Sequence, residues 1–444
     1  MKRRMIQWMA PVLAVMMAMT GCGTQKETKQ SDPQTETGQT GTQESAGESA
    51  AQGEKTKLAL WNVTVDGVDK GYEAIIDAYT TAHPEVEIEF YSYPETDYYS
   101  KLKSALSAGI GPDIYFTTGW NNLQTFVDSG HAENLDGKLD VTAFSSDALE
   151  VETINGSLYG APGAYAQYLT VFYNKDLFEQ AGVTVPATYD EFLKACDTLK
   201  AKGITPIAMG GQEATPYMFA WLVSCQALAP DYFEDIRSGK VSTFTDERFT
   251  KAMNAMKEWG EAGYYEDNYD GTTYTAQTLL FATGNAAMTL TGSWGYAEVM
   301  QQNEEINIGA FAFPGPEKTY GVRSVASGLS VNTGSQNKDA AIDFLNYTCT
   351  AEAMQTMVDA VDGIPVTDGV TCDNEVMQEV AKAPDYAAFP NIALNIAGTN
   401  STNPQDVFTN NYLDVMSGKI DVNALAELMD KSWDPAAYAK LFQK

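Results

Sequence analysis

The sequence predicts an α/β protein built from two lobes. Its 444 residues exceed the roughly 250–300 residues at which a single hydrophobic core stops growing. From about residue 57 onward, apolar strand patterns alternate with helical stripes, which is typical of sheets with βαβ crossovers. Three phrases rich in Gly and Pro, "YGAPGAY", "FAFPGP" and "VDGIPV", interrupt the patterned segments.

The first part of the folded region predicts strand, helix, strand, helix and strand. "LALWNV", "VEIEF" and "DIYF" have the apolar or alternating character of strands. Two stripes at helical spacing lie between them: Tyr72, Ile75, Ile76 and Tyr79, then Tyr98, Leu102, Ala105 and Leu106. This order predicts a mostly parallel sheet.

A second α/β region is predicted after residue 160. It starts with the strand "YLTVFYN", and Thr188 and Glu191 then form a T-x-x-E capping box at the start of a helix. Trp259 and Trp433 share helical stripes with other apolar residues, so we expect both in the core.

The N-terminus predicts a targeting segment. Lys2, Arg3 and Arg4 precede the apolar run "MIQWMAPVLAVMMAM", and "TGC" follows it, so residues 1–21 predict a signal peptide. Met19 to Cys22 resembles a bacterial lipobox, which implies lipidation at Cys22; the alternative is an ordinary secretory signal with an incidental cysteine. Residues 22–56 lack large apolar side chains and predict a disordered tether.

Composition excludes several partners. A formal net charge of −31 disfavours binding to nucleic acid and to anionic lipid surfaces. Beyond Cys22, the cysteines are Cys196, Cys225, Cys349 and Cys372, and they show no CxxC spacing. We therefore expect no metal and no cofactor. Pairing of Cys349 with Cys372 stays open at this stage.

Several phrases, in order, resemble those of extracellular solute-binding proteins of bacterial ABC importers, in the group that includes maltose-binding proteins. The phrases are "LALWNV", "KLKSALSAGIGPDIYF", "INGSLYGAPGAY", "VFYNKDLFEQAGVTVPATYDEF", "LLFATGNAAMTLTGSW", "IGAFAFPGP" and "NKDAAIDFLNYTCTAEAMQ". The resemblance spans about residues 57 to 432, and the lipobox and tether fit the Gram-positive form.

The resemblance implies a periplasmic-binding-protein-like fold, in which two doubly wound α/β lobes are joined by a hinge of three chain crossings. Carried onto this sequence, the crossings fall near Gly160–Ala164, Phe311–Gly315 and Asp362–Val366. Lobe 1 then comprises residues 57–160 plus 316–361. Lobe 2 comprises residues 165–310 plus 367–444.

Loops that follow strands supply the first candidate ligand residues, because ligands of doubly wound sheets bind at the carboxyl ends of strands. Thr64 and Asp66 follow the first strand, and Trp120 and Asn121 follow the third. Trp294 follows the buried strand "MTLTG" between two glycines, and in the resembling family this aromatic commonly stacks on a sugar ring. Indole faces pack on pyranose C–H groups while amides and carboxylates bond the hydroxyls.

Further candidates come from lobe 2 and the hinge. "MGGQEATPYMFAWL" presents Gln212, Glu213, Tyr217 and Trp221, where family members use a similar Gln-Glu and following aromatics; Trp221 fits the core equally well. Tyr165 and Gln167 follow the first crossing, where hinge packing is an even alternative. Arg323 is a candidate charged contact or a surface residue, and Asn391 is a candidate in a second lobe 2 wall.

These features lead to three hypotheses of function. The first is a substrate-binding lipoprotein that captures an oligosaccharide by hinge closure and delivers it to ABC permease subunits with their ATPase. The second keeps the transport role for a polyamine or another small polar solute, because Asp66 and Glu213 lie among aromatics. The third, an extracellular glycosidase, is disfavoured since its two carboxylates would sit on opposite lobes. We therefore expect a monomeric non-enzyme anchored through Cys22 to the outer face of the cytoplasmic membrane.

Overall fold

Two β-sheets form the frame of the computed structural model, which describes residues 55–64, 66–326, 328–382, 386–388 and 404–436. The strands in this part of the chain are β1 Thr56–Val63, β2 Val86–Tyr93, β3 Ile114–Phe116, β4 Thr153–Ile154, β5 Ser157–Leu158, β6 Tyr165–Asn174, β7 Thr205–Ala208, β8 Ala286–Gly292, β9 Ile308–Phe311, β10 Phe313–Pro314, β11 Thr319–Val325, β12 Leu329–Val331, β13 Ile364–Pro365 and β14 Tyr386–Ala388. The predicted signal peptide and nearly all of the predicted tether lie outside the described residues.

Helices cover both sheets. In the described part of the chain they are α1 Asp66–Ala82, α2 Glu95–Ser107, α3 Trp120–Asp128, α4 Ser146–Val151, α5 Lys175–Ala181, α6 Tyr189–Ala201, α7 Ala214–Leu228, α8 Tyr232–Arg237, α9 Glu247–Glu261, α10 Tyr274–Ala282, α11 Gly295–Gln302, α12 Lys338–Thr348, α13 Ala351–Val361, α14 Glu375–Ala381, α15 Pro404–Met416 and α16 Val422–Asp430. Within the described ranges, no helix combines the length and apolar character needed to cross a membrane.

Lobe 1 contains the smaller sheet, with strand order β12-β3-β1-β2. β1 is parallel to both β2 and β3, as the alternation of strands and helices predicts, and β12 adds an antiparallel edge. The predicted stripe on α1 is confirmed, because Tyr72, Ile75, Ile76 and Tyr79 are all buried. This burial seats α1 on the sheet, so the amino end of α1 lies beside the carboxyl end of β1.

Lobe 2 contains the larger sheet, and its long central strand is β6. β6 runs antiparallel to β8, β9, β11 and β13, while β7–β8 and β11–β14 are parallel pairs. This sheet is therefore mixed, unlike the mostly parallel sheet that the sequence predicts for the first region. The strands that pair with β6 lie far from it in sequence, so local helix and strand patterns do not reveal their directions.

The core of lobe 2 lies between its sheet and helices that include α6, α7, α9 and α16. Trp259 and Trp433 are buried there, which confirms the predictions for both. The Thr188–Glu191 capping box is also confirmed: the Thr188 side chain accepts from the Glu191 backbone N–H, and the Glu191 side chain accepts from that of Thr188. The capping box fixes where α6 begins.

The chain passes between the lobes at three places. It passes from β5 in lobe 1 to β6 in lobe 2 through residues 159–164, and from α13, which packs on α1, to β13, which pairs with β6. The prediction of a crossing at Phe311–Gly315 is wrong. Here β10 and β11 form a hairpin within lobe 2, and the chain leaves this lobe between Val325 and Leu329. Residues 316–325 therefore belong to lobe 2.

Two of the crossings are bonded to each other. The N–H of Ala161 donates to the carbonyl of Leu329 at 2.8 Å, and the N–H of Ala326 donates to the carbonyl of Tyr165 at 2.8 Å. A β-carbon on Gly328 would overlap the Ala161 carbonyl oxygen, so only glycine permits this approach. The two segments therefore form a paired connection between the lobes.

Candidate functional site

A cavity of about 950 Å³ is lined by both lobes and by the three crossings. Its size suits a small-molecule ligand. Among the described residues of the lining, the aromatic ones are Tyr72, Tyr99, Phe116, Tyr165, Phe219 and Trp294. Side chains with amides or hydroxyls separate these rings, among them Asn62, Thr64, Thr118, Asn122, Gln167 and Gln301. Rings beside hydrogen-bonding groups suit a ligand that has both apolar faces and hydroxyls.

Trp294 lies just beyond the carboxyl end of β8, directly before α11, and is half-buried. Its indole N–H donates a hydrogen bond to the Tyr274 hydroxyl at 3.2 Å. Phe219 meets the indole edge to face, with ring centroids 5.2 Å apart. Gly292 lies so close to the ring that a β-carbon there would overlap it. These contacts hold the indole in place while it lines the cavity.

One face of α11 continues the wall that Trp294 begins. Trp294, Ala297, Glu298 and Gln301 line the cavity at helical spacing. Burial raises the pKa of the Glu298 carboxyl above its ordinary value, and a hydrogen bond from the Tyr274 hydroxyl opposes that shift. Tyr274 thus contacts both the indole and the carboxyl group, which places an apolar face beside a hydrogen-bond acceptor.

The lobe 1 wall is organised by a hydrogen-bond network around the half-buried carboxylate of Asp69. Asp69 accepts hydrogen bonds from the Asn62 amide at 2.8 Å and from the Ser92 hydroxyl at 2.8 Å. The hydroxyls of Ser92 and Thr64 are themselves bonded at 2.9 Å, and Thr64 lines the cavity as predicted for a loop after β1. The Asn62 amide oxygen is buried and has no partner among the described residues.

The hinge contributes two of the predicted residues, Tyr165 and Gln167, to the lining. Burial raises the pKa of Tyr165 to about 12, and a hydrogen bond with Gln167 opposes the shift. A β-carbon on Gly363 would lie 2.8 Å from that of Tyr165, so the third crossing packs directly on this side chain. Tyr165 therefore serves the hinge and the cavity wall together.

A buried acid lies against two of the crossings. Glu152 is fully buried, its Oε1 accepts from the Gly328 N–H at 3.0 Å, and its Oε2 has no partner in the described part of the chain. Burial raises the pKa of Glu152 to about 8, which the Gly328 hydrogen bond opposes. A β-carbon on Gly160 would overlap this carboxylate, so the acid lies directly against the first crossing.

Gln212 and Glu213 are exposed, and neither lines the cavity in this structure. Their loop is held by the protein itself, since the Gly210 N–H donates to Gln277 at 2.5 Å and the Tyr412 hydroxyl donates to the Gly211 carbonyl at 2.8 Å. A β-carbon on Gly211 would overlap the Tyr269 carbonyl oxygen, so this loop packs closely on neighbouring protein atoms.

Trp221 is a core residue, and its prediction as a ligand contact is wrong. It is fully buried among Phe233, Phe249 and Phe408, with no surface left for a ligand. Phe219, two residues earlier on α7, lines the cavity instead.

Arg323, predicted as a charged ligand contact or a surface residue, does not line the cavity. It forms an ion pair with Asp147, its guanidinium lies 6.0 Å from the Tyr168 ring, and it is absent from the lining, where the next residue, Ser324, is found.

Six other predicted residues lie partly or wholly outside what the structure describes. For Asp66, Trp120, Asn121 and Tyr217 the side chains fall outside it, although α1 and α3 begin at Asp66 and Trp120. Asn391 and the lipidation candidate Cys22 lie outside the described residues altogether. Cys349 and Cys372 are free thiols.

Sequence reasoning missed several lining residues, notably Asn62, Tyr99, Asn122, Phe219 and Glu298. Asn122 directly follows the candidates Trp120 and Asn121, so its position after β3 is the signal that identifies it. Glu298 lies one helical turn after Trp294, and that spacing would have identified it.

The charged side chains of the described lining are all acidic. Among the described lining residues, the charged side chains are Glu298 and Asp362, and none is basic. Within the same described ranges, no group of three or more His, Cys, Asp or Glu side chains is placed to hold a metal ion. The site thus offers aromatic faces, hydrogen-bonding groups and negative charge.

Residues 64–355, more than half of the chain, match the family model described as bacterial extracellular solute-binding protein. The multiple sugar-binding protein of Streptococcus mutans serotype c is 28% identical over 365 residues, or 79% of this chain and 85% of that protein. The melibiose/raffinose/stachyose-binding protein MelE of Bacillus subtilis is 22% identical over 281 residues, 61% and 64% of the two chains.

A solved structure has a similar fold. The structure titled "SBP RafE in complex with raffinose" matches with a TM-score of 0.69 at 22% identity, over 88% of this chain and 100% of that one.

Proposed function

Because this chain belongs to the bacterial extracellular solute-binding proteins, we propose that its cavity captures an oligosaccharide by closure of the two lobes. The protein then delivers this ligand to the permease subunits of an ABC transporter, which an associated ATPase drives. Membership confirms the predicted resemblance and the expectation that the chain is not an enzyme. The two-lobe, periplasmic-binding-protein-like α/β class is confirmed by the structural likeness.

One observation carries the proposal: a fixed indole lines a cavity to which both lobes and the hinge contribute. A pyranose ring needs an apolar face for its C–H groups and polar groups at its edges. Trp294 supplies the first, and Glu298, Asn62, Thr64 and Gln301 surround the same space with the second. Several aromatic side chains along the lining favour more than one sugar ring.

Closure requires a ligand that binds the closed form more tightly than the open form. Thr64 and Asn122 belong to lobe 1, whereas Phe219 and Trp294 belong to lobe 2, and all four line one cavity. A ligand that fills the cavity therefore contacts both lobes, which gives it the differential affinity that shifts the hinge.

The names of relatives agree with a sugar ligand. One is called a multiple sugar-binding protein, another a melibiose/raffinose/stachyose-binding protein, and a structural neighbour was solved with raffinose. The family is extracellular. We further propose that the chain acts as a monomer, anchored to the outer face of the cytoplasmic membrane by lipid on Cys22.

Isothermal calorimetry on the mature chain tests this function. The panel contains melibiose, raffinose, stachyose, maltotriose, cellotriose and chitotriose, with spermidine as the contrasting cationic ligand. Saturable binding of at least one saccharide, and none of spermidine, supports the proposal. Binding of spermidine alone would indicate that the transported ligand is a polyamine and not a saccharide.

A further inference from the structure

We propose that the cavity accepts an uncharged saccharide and rejects one that carries uronic acid groups, and that Glu298 is the residue that makes this distinction. The inference rests on the proposed function, because it names the class of saccharide for the same cavity. It does not depend on which neutral sugar, linkage or chain length is bound.

The charge of the cavity wall disfavours a ligand that carries a carboxylate. Among the described residues of the lining, Glu298 and Asp362 carry charge and no lysine, arginine or histidine is present. Arg323 is no substitute, since it lies outside the lining and is paired with Asp147. A ligand carboxylate would lose its hydration in this cavity and gain no cationic partner, which is unfavourable.

Glu298 is positioned to contact a sugar ring that stacks on Trp294. Glu298 is four residues after Trp294 on the same helix face, and such residues are about 5–6 Å apart at their β-carbons. A sugar ring packed on the indole therefore lies within reach of this carboxylate. The hydroxyls of a neutral ring donate to it in charge-assisted hydrogen bonds, whereas a uronate carboxylate at the same place meets a like charge.

Tyr274 couples the side chains of Trp294 and Glu298. Its hydroxyl accepts from the Trp294 N–H at 3.2 Å and donates to the Glu298 carboxyl group, and it is also bonded to Thr291 at 3.0 Å. One part of the carboxylate is thereby held, and a carboxylate has further acceptor positions that ligand hydroxyls can use. Stacking surface and acceptor are thus held in one fixed relation, as a specificity-determining pair requires.

The experiment compares matched ligands on matched variants. Each neutral oligosaccharide of the panel that binds is paired with the same oligosaccharide oxidised to carboxylates at its primary alcohols. The variants are Glu298→Gln and, as a control, Glu304→Gln, which removes the same charge from an exposed residue outside the lining. Glutamine keeps an oxygen that can accept from Tyr274, and Glu298→Ala provides a second variant if the first folds poorly.

The wild-type protein should bind the neutral ligand at least about tenfold more tightly than the oxidised one, since like charges in contact cost several kcal/mol. Glu298→Gln and Glu298→Ala should narrow that ratio, to roughly threefold or less, whereas Glu304→Gln should keep it. The ratio of the affinities for the neutral and the oxidised ligand is the critical readout, because a variant with looser packing would weaken the binding of both ligands alike.

The outcomes separate the two proposals. Failure of every neutral oligosaccharide to bind the wild-type protein overturns the proposed function. If a neutral ligand binds and its oxidised partner binds equally well, the function stands and the present inference is overturned. A large ratio that survives in both folded Glu298 variants overturns the assignment to Glu298.

Discussion

Gly292 and Trp294 are matched to each other, because a β-carbon at position 292 would overlap the six-membered ring of the indole. Gly292 is the last residue of β8 and pairs with Leu169 of β6. Its φ is not in the left-handed region, so close packing, rather than backbone conformation, demands a glycine here. The orientation of the indole thus depends on the lack of a β-carbon at Gly292, two residues earlier.

Gly292→Ala should displace the indole from the cavity wall. We expect saccharide affinity to fall by about 1–3 kcal/mol, the range for loss of an aromatic anchor, measured by calorimetry. Gly271→Ala is the matched control, since its β-carbon would meet no atom within 4 Å and its φ is ordinary. Equal affinity in both variants would show that the ring position does not depend on Gly292.

Trp294→Ala removes the proposed stacking surface itself. We expect affinity to weaken by about 1–3 kcal/mol with little change in melting temperature, because the indole is only half-buried. Calorimetry and thermal unfolding measure the two effects separately. Unchanged affinity together with a collapsed melting temperature would make Trp294 a core residue.

Trp221→Ala should show the opposite pattern. This side chain is fully buried among phenylalanines, so truncation should lower the free energy of unfolding by about 3–5 kcal/mol. The fraction that remains folded should bind saccharide with wild-type affinity. Denaturant titration and calorimetry on the same preparation decide the matter, and weaker binding at unchanged stability would contradict the core assignment.

Glu152 should make the stability of the fold depend on pH. Its pKa is raised to about 8 in the folded chain from an ordinary value of 4.5, so between these values the folded state binds more protons than the unfolded state. This contribution to stability is complete below about pH 4.5 and is lost as the pH rises through about 8. The slope from this group reaches about 1.4 kcal/mol per pH unit.

Glu152→Gln removes the titrating proton and keeps an acceptor for the Gly328 N–H. Denaturant titrations at several values between pH 5 and pH 8 should show the wild-type protein losing stability relative to the variant as the pH rises. Parallel curves for the two proteins would contradict a buried acid that is protonated at neutral pH.

Local features of the fold could be predicted because each is encoded by neighbouring residues. The stripe that includes Ile75 and Ile76 on α1 and the Thr188 capping box depend on spacings of three or four residues. Strand directions around β6 depend on pairs far apart in sequence, such as Val171 with Leu290 and with Phe311. For the same reason "FAFPGP" resembles a crossing, although it forms one arm of a hairpin.

The site was partly predictable for a similar reason. Trp294 could be found because it follows a buried strand, whereas α7 is buried on almost every side, so its sequence shows no cavity-facing stripe. Phe219 and Trp221 are therefore indistinguishable by pattern, and only packing separates them. Glu298 is an acid on a helix, a type that usually faces solvent, and its role depends on Tyr274, which is distant in sequence.

Capture of a saccharide by closure around Trp294 is tested most directly by a crystal structure of the protein with a bound oligosaccharide. In that structure, the contact between the Trp294 indole and the nearest sugar ring is measured. We predict a ring stacked on the indole at van der Waals distance, with the same ligand also contacting lobe 1 residues such as Thr64 or Asn122. A saccharide that leaves the indole bare, or that contacts a single lobe, would contradict capture by closure around Trp294.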